Sequence, residues 1–195
     1  MDKNLYIVAG CNGAGKTTAS YSILPEILNC KEFVNADEIA RGLSPFQPEK
    51  VSIEAGRIML KRIDELLYGN KTFAFETTLA SKSYKNKIKA AKAKDYTVTL
   101  LFFWLQTVDL AIQRVETRVL LGGHHVEADV IERRYVNGIK NLFDIYFSLA
   151  DNVLIIDNSE SIHQIIAKKI NNSDLQIIDN LKFNKIRQCH ENERI

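Results

Sequence analysis

The sequence predicts a three-layer α/β fold with a mainly parallel central sheet and an arginine-rich helical lid. Three observations carry this. Apolar runs of strand length alternate with helical stretches, as in a parallel sheet covered on both faces. The first run, residues 5–9, breaks at once into GCNGAGKTT, where Gly10, Gly15, Lys16 and Thr17 fill the pattern G-x-x-x-x-G-K-[ST]. Finally, Gly122 and Gly123 form a hinge between Arg114 and Arg118 on one side and Arg133 and Arg134 on the other. Together these specify a P-loop NTPase of the nucleotide-kinase-like type.

The elements follow in order. After the strand at 5–9, residues 16–28 read as a helix and 32–36 as a short strand. Pro48 suits a first helical turn, and the helix it opens runs with Val51, Ala55, Ile58, Met59, Arg62 and Leu66 at helical spacing to a stop at Gly69. Residues 71–76 form a second clear strand, followed by Ser81 as N-cap of a lysine-rich helix to about 94. The stretch 97–105 is apolar throughout, as a central parallel strand should be. A helix over 107–121 stops at the two glycines. Asp129 and Glu132 give a D-x-x-E capping pattern for the next helix, which ends near 149. Residues 152–157 are a strand, 159–170 read as a helix on the sheet, and 174–180 as an edge strand. The tail from 182 is expected to be a solvated helix or a frayed end.

Composition narrows the function classes. The chain of 195 residues fits one domain over 1–195, with its core at 4–170, the lid at about 114–135 and the tail at 182–195. A hydrophobic share of 46% and a charged share of 26% are globular values. The net charge of +2 gives no general case for nucleic acid or a membrane surface. No apolar run nears the roughly 18 residues of a membrane helix, and the first strand starts too early for a signal peptide. Cys11, Cys30 and Cys189 are odd in number and scattered, which argues against a disulfide framework or a zinc site. A cytoplasmic location is expected.

The glycine-rich loop has a physical reading. Its backbone N–H groups, from Gly10, Cys11, Asn12, Gly13, Ala14, Gly15, Lys16, Thr17 and Thr18, can turn inward onto the phosphates of ATP. Lys16 reaches the β- and γ-phosphates, and the Thr17 hydroxyl binds Mg²⁺. Ligands of such sheets sit at the carboxyl ends of the strands, which selects the other candidates. Asp37 follows the second strand; it is either a general base for an attacking hydroxyl or an N-cap. Glu76 and Asp157 each close an apolar strand and compete as the carboxylate supporting Mg²⁺, with Glu76 preferred. Thr77 and Thr78 either hydrogen-bond a substrate or cap the next element. Arg114 and Arg118 lie i, i+4 on one helix face, Arg114 as a substrate contact and Arg118 as a lid arginine. Arg134 shares a face with Gly138 and Asn141 and is preferred over Arg133 for bringing charge to the moving phosphoryl group. The adjacent His124 and His125 are placed in the lid turn.

GCNGAGKTT, FVNADEIA, FAFETTLAS, RVETRVLLGGHHV, IERRY and VLIIDNS occur in this order in the short zeta-toxin-like P-loop kinases. Over residues 5 to about 159 the chain resembles that family. The resemblance implies phosphorylation of the 3′-hydroxyl of UDP-N-acetylglucosamine with ATP and Mg²⁺. It aligns Asp37 with the catalytic aspartate, Glu76 and Thr78 with a substrate-contacting Glu-x-Thr, and Arg118 and Arg134 with the lid arginines. It also brings an antitoxin protein into view as a partner. Ala80 stands where the best-studied toxins carry an arginine.

The expected function is therefore an ATP-dependent kinase with a small-molecule hydroxyl substrate, a nucleotide sugar first among them. Within that class the alternative is a hydroxyl of another nucleoside, a dinucleotide or a nucleic-acid end. The last would demand a basic groove, which neither net charge nor any basic–aromatic run supports. From another class, the alternative is an ATPase or switch acting on a protein partner. That reading wants a catalytic carboxylate after Asp157, where Asn158 stands instead.

Overall fold

The computed structural model describes residues 3–123 and 125–191. Among the described residues seven strands form one sheet in the order β2-β3-β1-β4-β5-β6-β7. The first five in space are parallel: β1 (Lys3–Ala9) lies between β3 (Phe73–Thr77) and β4 (Tyr96–Trp104), β2 (Phe33–Val34) flanks β3, and β5 (Asn152–Asp157) flanks β4. Consecutive residues Leu5–Ala9 and Val98–Trp104 are buried, so both faces of the sheet centre are covered by helices. The fold class is thus the three-layer α/β arrangement expected.

The helices are α1 (Lys16–Ser22), α2 (Ala36–Leu43), α3 (Ser52–Tyr68), α4 (Lys85–Lys92), α5 (Val108–Leu120) and α6 (Ala128–Asn141). A wide turn at Leu142–Tyr146 carries α6 on into α7 (Phe147–Leu149). Pro48 opens a single 3₁₀ turn before α3. Thr107 caps α5, its hydroxyl accepting from the Leu110 N–H. Two caps fall elsewhere than expected. Glu127 occupies the N-cap of α6, so Asp129 lies in the first turn and no D-x-x-E box forms. Ser81 closes a local turn with the Ser83 N–H, and α4 begins only after Tyr84.

The C-terminal third departs most from expectation. Residues 164–169 are a strand, β6 (Gln164–Lys169), antiparallel to β5, and β7 (Gln176–Ile177) pairs antiparallel with β6. Ile162, Ile165, Ile166 and Ile170 mimic helical spacing, but β-branched residues beside an open sheet edge favour a strand. The tail is a packed helix, α8 (Asn180–Glu191), burying Phe183, Ile186 and His190 against α6 and β6. Lys182 at its start reaches across 2.7 Å to Asp157. Among the described residues no helix is long and apolar enough to cross a membrane.

Asp151 stitches the start of this region to the centre of the sheet. Its carboxylate accepts from the Val98 N–H at 2.9 Å, from Asn172 at 3.0 Å and from Lys92. Burial pushes its pKa up, but these donors outweigh that and hold it below the usual carboxylate range. A carboxyl depressed in the folded state contributes stability above its unfolded pKa, about 3.9, and loses it as pH falls through the folded value. Asp151→Asn should cost about 1 kcal/mol at pH 7. That gap should shrink below about pH 3.9, as urea unfolding of both proteins across pH will read.

Candidate active site

β1 delivers the glycine-rich loop to the middle of the sheet's carboxyl edge. Gly10 has φ of 141°, and a Cβ there would lie 2.2 Å from the Phe103 carbonyl oxygen on β4. Gly15, the N-cap of α1, has φ of 76° in the left-handed region. Only glycine supports both reversals. Lys16 is buried at their end; its Nζ donates to the Cys11 carbonyl at 2.9 Å and lies 3.5 Å from Glu76 Oε1. The Cys11 side chain points into the core. Burial pushes its thiol up to about 11, only partly offset by the nearby charges of Lys16 and Arg114.

The β1–β3 register sets Glu76 opposite Val8 and Thr77 opposite Ala9, which brings the end of β3 alongside the loop. There the Thr17 hydroxyl donates to Glu76 Oε2 at 2.8 Å, and Asn35 Nδ2 donates to the same oxygen at 3.0 Å. A hydroxyl and a carboxylate this close suit Mg²⁺, which takes oxygen ligands and is held by one or two carboxylates together with phosphates. Asp157 is differently placed. It is buried and accepts from Lys182, from Gln106 at 3.2 Å and from the Ser159 N–H at 2.9 Å. Burial raises its pKa, and these donors bring it below the ordinary value. Its oxygens are spent on holding the end of β5 and the start of α8.

Asp37 is not the N-cap of α2. Asn35 is, its Oδ1 accepting from the Asp37 N–H at 2.8 Å and the Glu38 N–H at 3.4 Å. Asp37 therefore sits in the first turn, and it lines a cleft of about 200 Å³ with Asn12, Lys16, Glu76, Thr77, Thr78 and Arg134. The Thr77 hydroxyl accepts from the Leu79 N–H at 3.0 Å, so it shapes the loop that it lines. Arg134 Nη1 donates to Asn12 Oδ1 at 3.1 Å. Burial lowers the Arg134 pKa, while the charge of Asp37 acts the other way.

Gly138 and Asn141 continue the Arg134 face of α6 onto the β3–α4 loop. A Cβ on Gly138 would come within 2.6 Å of the Thr78 carbonyl oxygen. Asn141 Nδ2 donates to the Leu79 carbonyl at 2.8 Å. Leu79, fully buried, holds a φ of 58° that a bulky side chain seldom adopts. The two arginines of α5 part company. Arg118 lines an adjoining cleft with Asp37, Arg41, Pro48 and Ser52. Arg114, expected at the substrate, instead donates to the Asn158 carbonyl at 2.8 Å and the Ser159 carbonyl at 2.9 Å. His125 Nε2 lies 3.2 Å from a Glu127 carboxylate oxygen, and His124 lies outside the described residues.

A model of the zeta toxin family matches residues 1–180. The chain belongs to the zeta toxin family. An uncharacterized protein of Haemophilus influenzae is 27% identical to it over 135 residues, 69% of this chain and 94% of the relative. A chain of the AvrRxo1-ORF1:ORF2 complex solved with ATP superposes with a TM-score of 0.70 at 15% identity. That likeness covers 95% of this zeta-toxin-family chain and 63% of the longer neighbour. A chain of the PezAT toxin–antitoxin system of Streptococcus pneumoniae gives 0.64 at 14% identity, covering 99% and 86% respectively. At these identities the likeness is one of fold.

Asn35, Gly138 and Asn141 are the cleft-shaping residues that sequence reading assigned no role in the site. Asn35 had a readable signal, since Asn between a strand and a helix is a preferred N-cap. The buried Cys11 yields a direct check. Native protein at pH 7.5 should be alkylated at the partly exposed Cys189, whereas Cys11 and Cys30, both buried and pushed up to about 11, should stay unmodified until denaturant is added. Peptide mass spectrometry after timed iodoacetamide treatment reads this, and rapid native labelling of Cys11 would contradict the loop packing.

Proposed function

We propose that this protein is an ATP-dependent kinase that phosphorylates the 3′-hydroxyl of UDP-N-acetylglucosamine. The carrying observation is the convergence of Lys16, the Thr17–Glu76 pair, Asp37 and Arg134 on one cleft at the sheet's carboxyl edge. Lys16 sits where a cation can meet the β- and γ-phosphates, and Arg134 where a guanidinium can meet the oxygens of the moving phosphoryl group. Asp37 is the base: it takes the hydroxyl proton as the acceptor oxygen bonds to the γ-phosphorus and the bond to ADP breaks. Thr17 and Glu76 would hold Mg²⁺, which when bound neutralises charge building on the phosphates. Thr77 and Thr78 offer polar contacts to the acceptor, and Glu76 reaches it from the same strand end. The adjoining cleft with Arg118 and Arg41 carries charge suited to the diphosphate of a nucleotide sugar.

One named neighbour was solved with a second protein and the other belongs to a toxin–antitoxin system, and an antitoxin-like protein is the partner proposed for this chain. The proposed compartment is the cytoplasm, where ATP is supplied and the free Cys11, Cys30 and Cys189 stay reduced. The test is incubation with Mg-ATP and UDP-N-acetylglucosamine, followed by mass spectrometry for a product heavier by one phosphate. A metabolite extract run in parallel identifies another acceptor. ATP consumption without any phosphorylated product would overturn the kinase reading.

Two variants probe the assigned roles. Lys16→Ala should abolish turnover, since the charge facing the phosphates is lost. Asp37→Asn should lower turnover on the order of 10²- to 10⁴-fold, because an amide cannot accept the proton. Its Mg-ATP affinity and melting temperature should stay near wild type, as Asn35 caps α2 and the phosphate loop is untouched. Calorimetric titration with Mg-ATP separates a lost base from a lost binding site.

A further inference from the structure

We infer that Asn158 is a positioning residue for the nucleotide, fixing the direction of the Gly15 N–H from behind the phosphate loop. Asn158 Nδ2 donates to the Ala14 carbonyl at 2.8 Å, and both partners are buried. The peptide joining Ala14 to Gly15 is planar and trans, so its C=O and N–H point in opposite directions. A donor that holds the carbonyl on one side therefore aims the Gly15 N–H to the other, toward the concavity where the loop's N–H groups gather for an anion. The same amide lies 2.4 Å from where a Cβ on Gly15 would stand. That gives a second reason, beside φ, for glycine at this place in the motif.

The strut is itself held at two points, and the next residue at a third. The Asn158 N–H donates to the Trp104 carbonyl at 2.9 Å, at the end of β4. Its carbonyl accepts from Arg114 at 2.8 Å, and the second arm of that guanidinium takes the Ser159 carbonyl. Arg114 is thus a positioning residue as well, acting through Asn158. This also accounts for an amide where many ATPases place a carboxylate. A carboxylate cannot donate to Ala14 O and would set two acceptors against each other.

The inference rests on the proposed reading of the loop as an ATP site, and binding rather than turnover tests it. Mg-ATP is titrated calorimetrically into wild type, Asn158→Ala, Asn158→Asp, Arg114→Lys and the double variant Asn158→Ala/Arg114→Lys, with melting temperatures taken in parallel. Asn158→Ala should weaken affinity on the order of fivefold at little cost in melting temperature, and the near-isosteric Asn158→Asp on the order of fiftyfold with a lower melting temperature, since two acceptors then face each other in a buried place. Arg114→Lys should weaken it a few-fold, and the double variant should be no worse than Asn158→Ala alone. Should Asn158→Asp bind as wild type does, or better than Asn158→Ala, the side chain merely fills space and the inference fails. It fails equally if the Asn158 and Arg114 losses simply add. If Asn158→Asp does not fold, the Ala and Lys variants decide. Wild type that does not bind Mg-ATP overturns the nucleotide reading itself, a result distinct from the others.

Discussion

The site depends on one constraint: a backbone that must reverse twice within seven residues while packed against its neighbours. Gly10 turns against the Phe103 carbonyl and Gly15 against the Asn158 amide, with no room at either for a Cβ. Because β1 lies between β3 and β4, the reversal is pressed between two strand ends, and the contacts of the site radiate from it. Lys16 bonds back to Cys11, Thr17 reaches Glu76 on β3, and Asn12 meets Arg134 on α6. A register change in any of these strands would separate groups that now stand within hydrogen-bond reach.

Acidic side chains at the strand ends are divided between two tasks by their surroundings. Glu76 faces Thr17, Asn35 and Lys16 inside the cleft. Asp157 closes an equally apolar strand, yet the arrival of α8 places Lys182 against it and turns it into a structural anchor. From the chain alone these two differ only in their immediate sequence neighbours. What distinguishes them is a helix more than twenty residues away in sequence.

This shows how far the sequence could be read. The five parallel strands and the helices α1, α3, α5 and α6 lie where apolar periodicity and the glycine stops indicate, because burial on both sheet faces leaves a clear pattern, whereas α2 buries only Ala40 and leaves none. The Arg134–Gly138–Asn141 face was likewise legible, as helical spacing alone sets it. Beyond residue 159 the isoleucines fit a helix and a strand equally well, and only the need of β5 for a partner on its open edge decides between them. The start of α4, the cap of α6 and the packing of the tail were misread for a related reason. The first and the last are settled by contacts distant in sequence, Tyr146 donating to the Ser81 carbonyl and His190 meeting Asp144 at 2.8 Å.

α6 carries Arg134 on the same face that grips the β3–α4 loop through Gly138 and Asn141. The helix and the loop are therefore machined to one clearance, with Thr78 seated where any side chain at 138 would have to go. Anyone reshaping the cleft by exchanging loop residues 77–81 alone would also displace the arginine, and a larger residue at 138 would pry both apart together. Graftable as a pair, they are poor candidates for separate redesign.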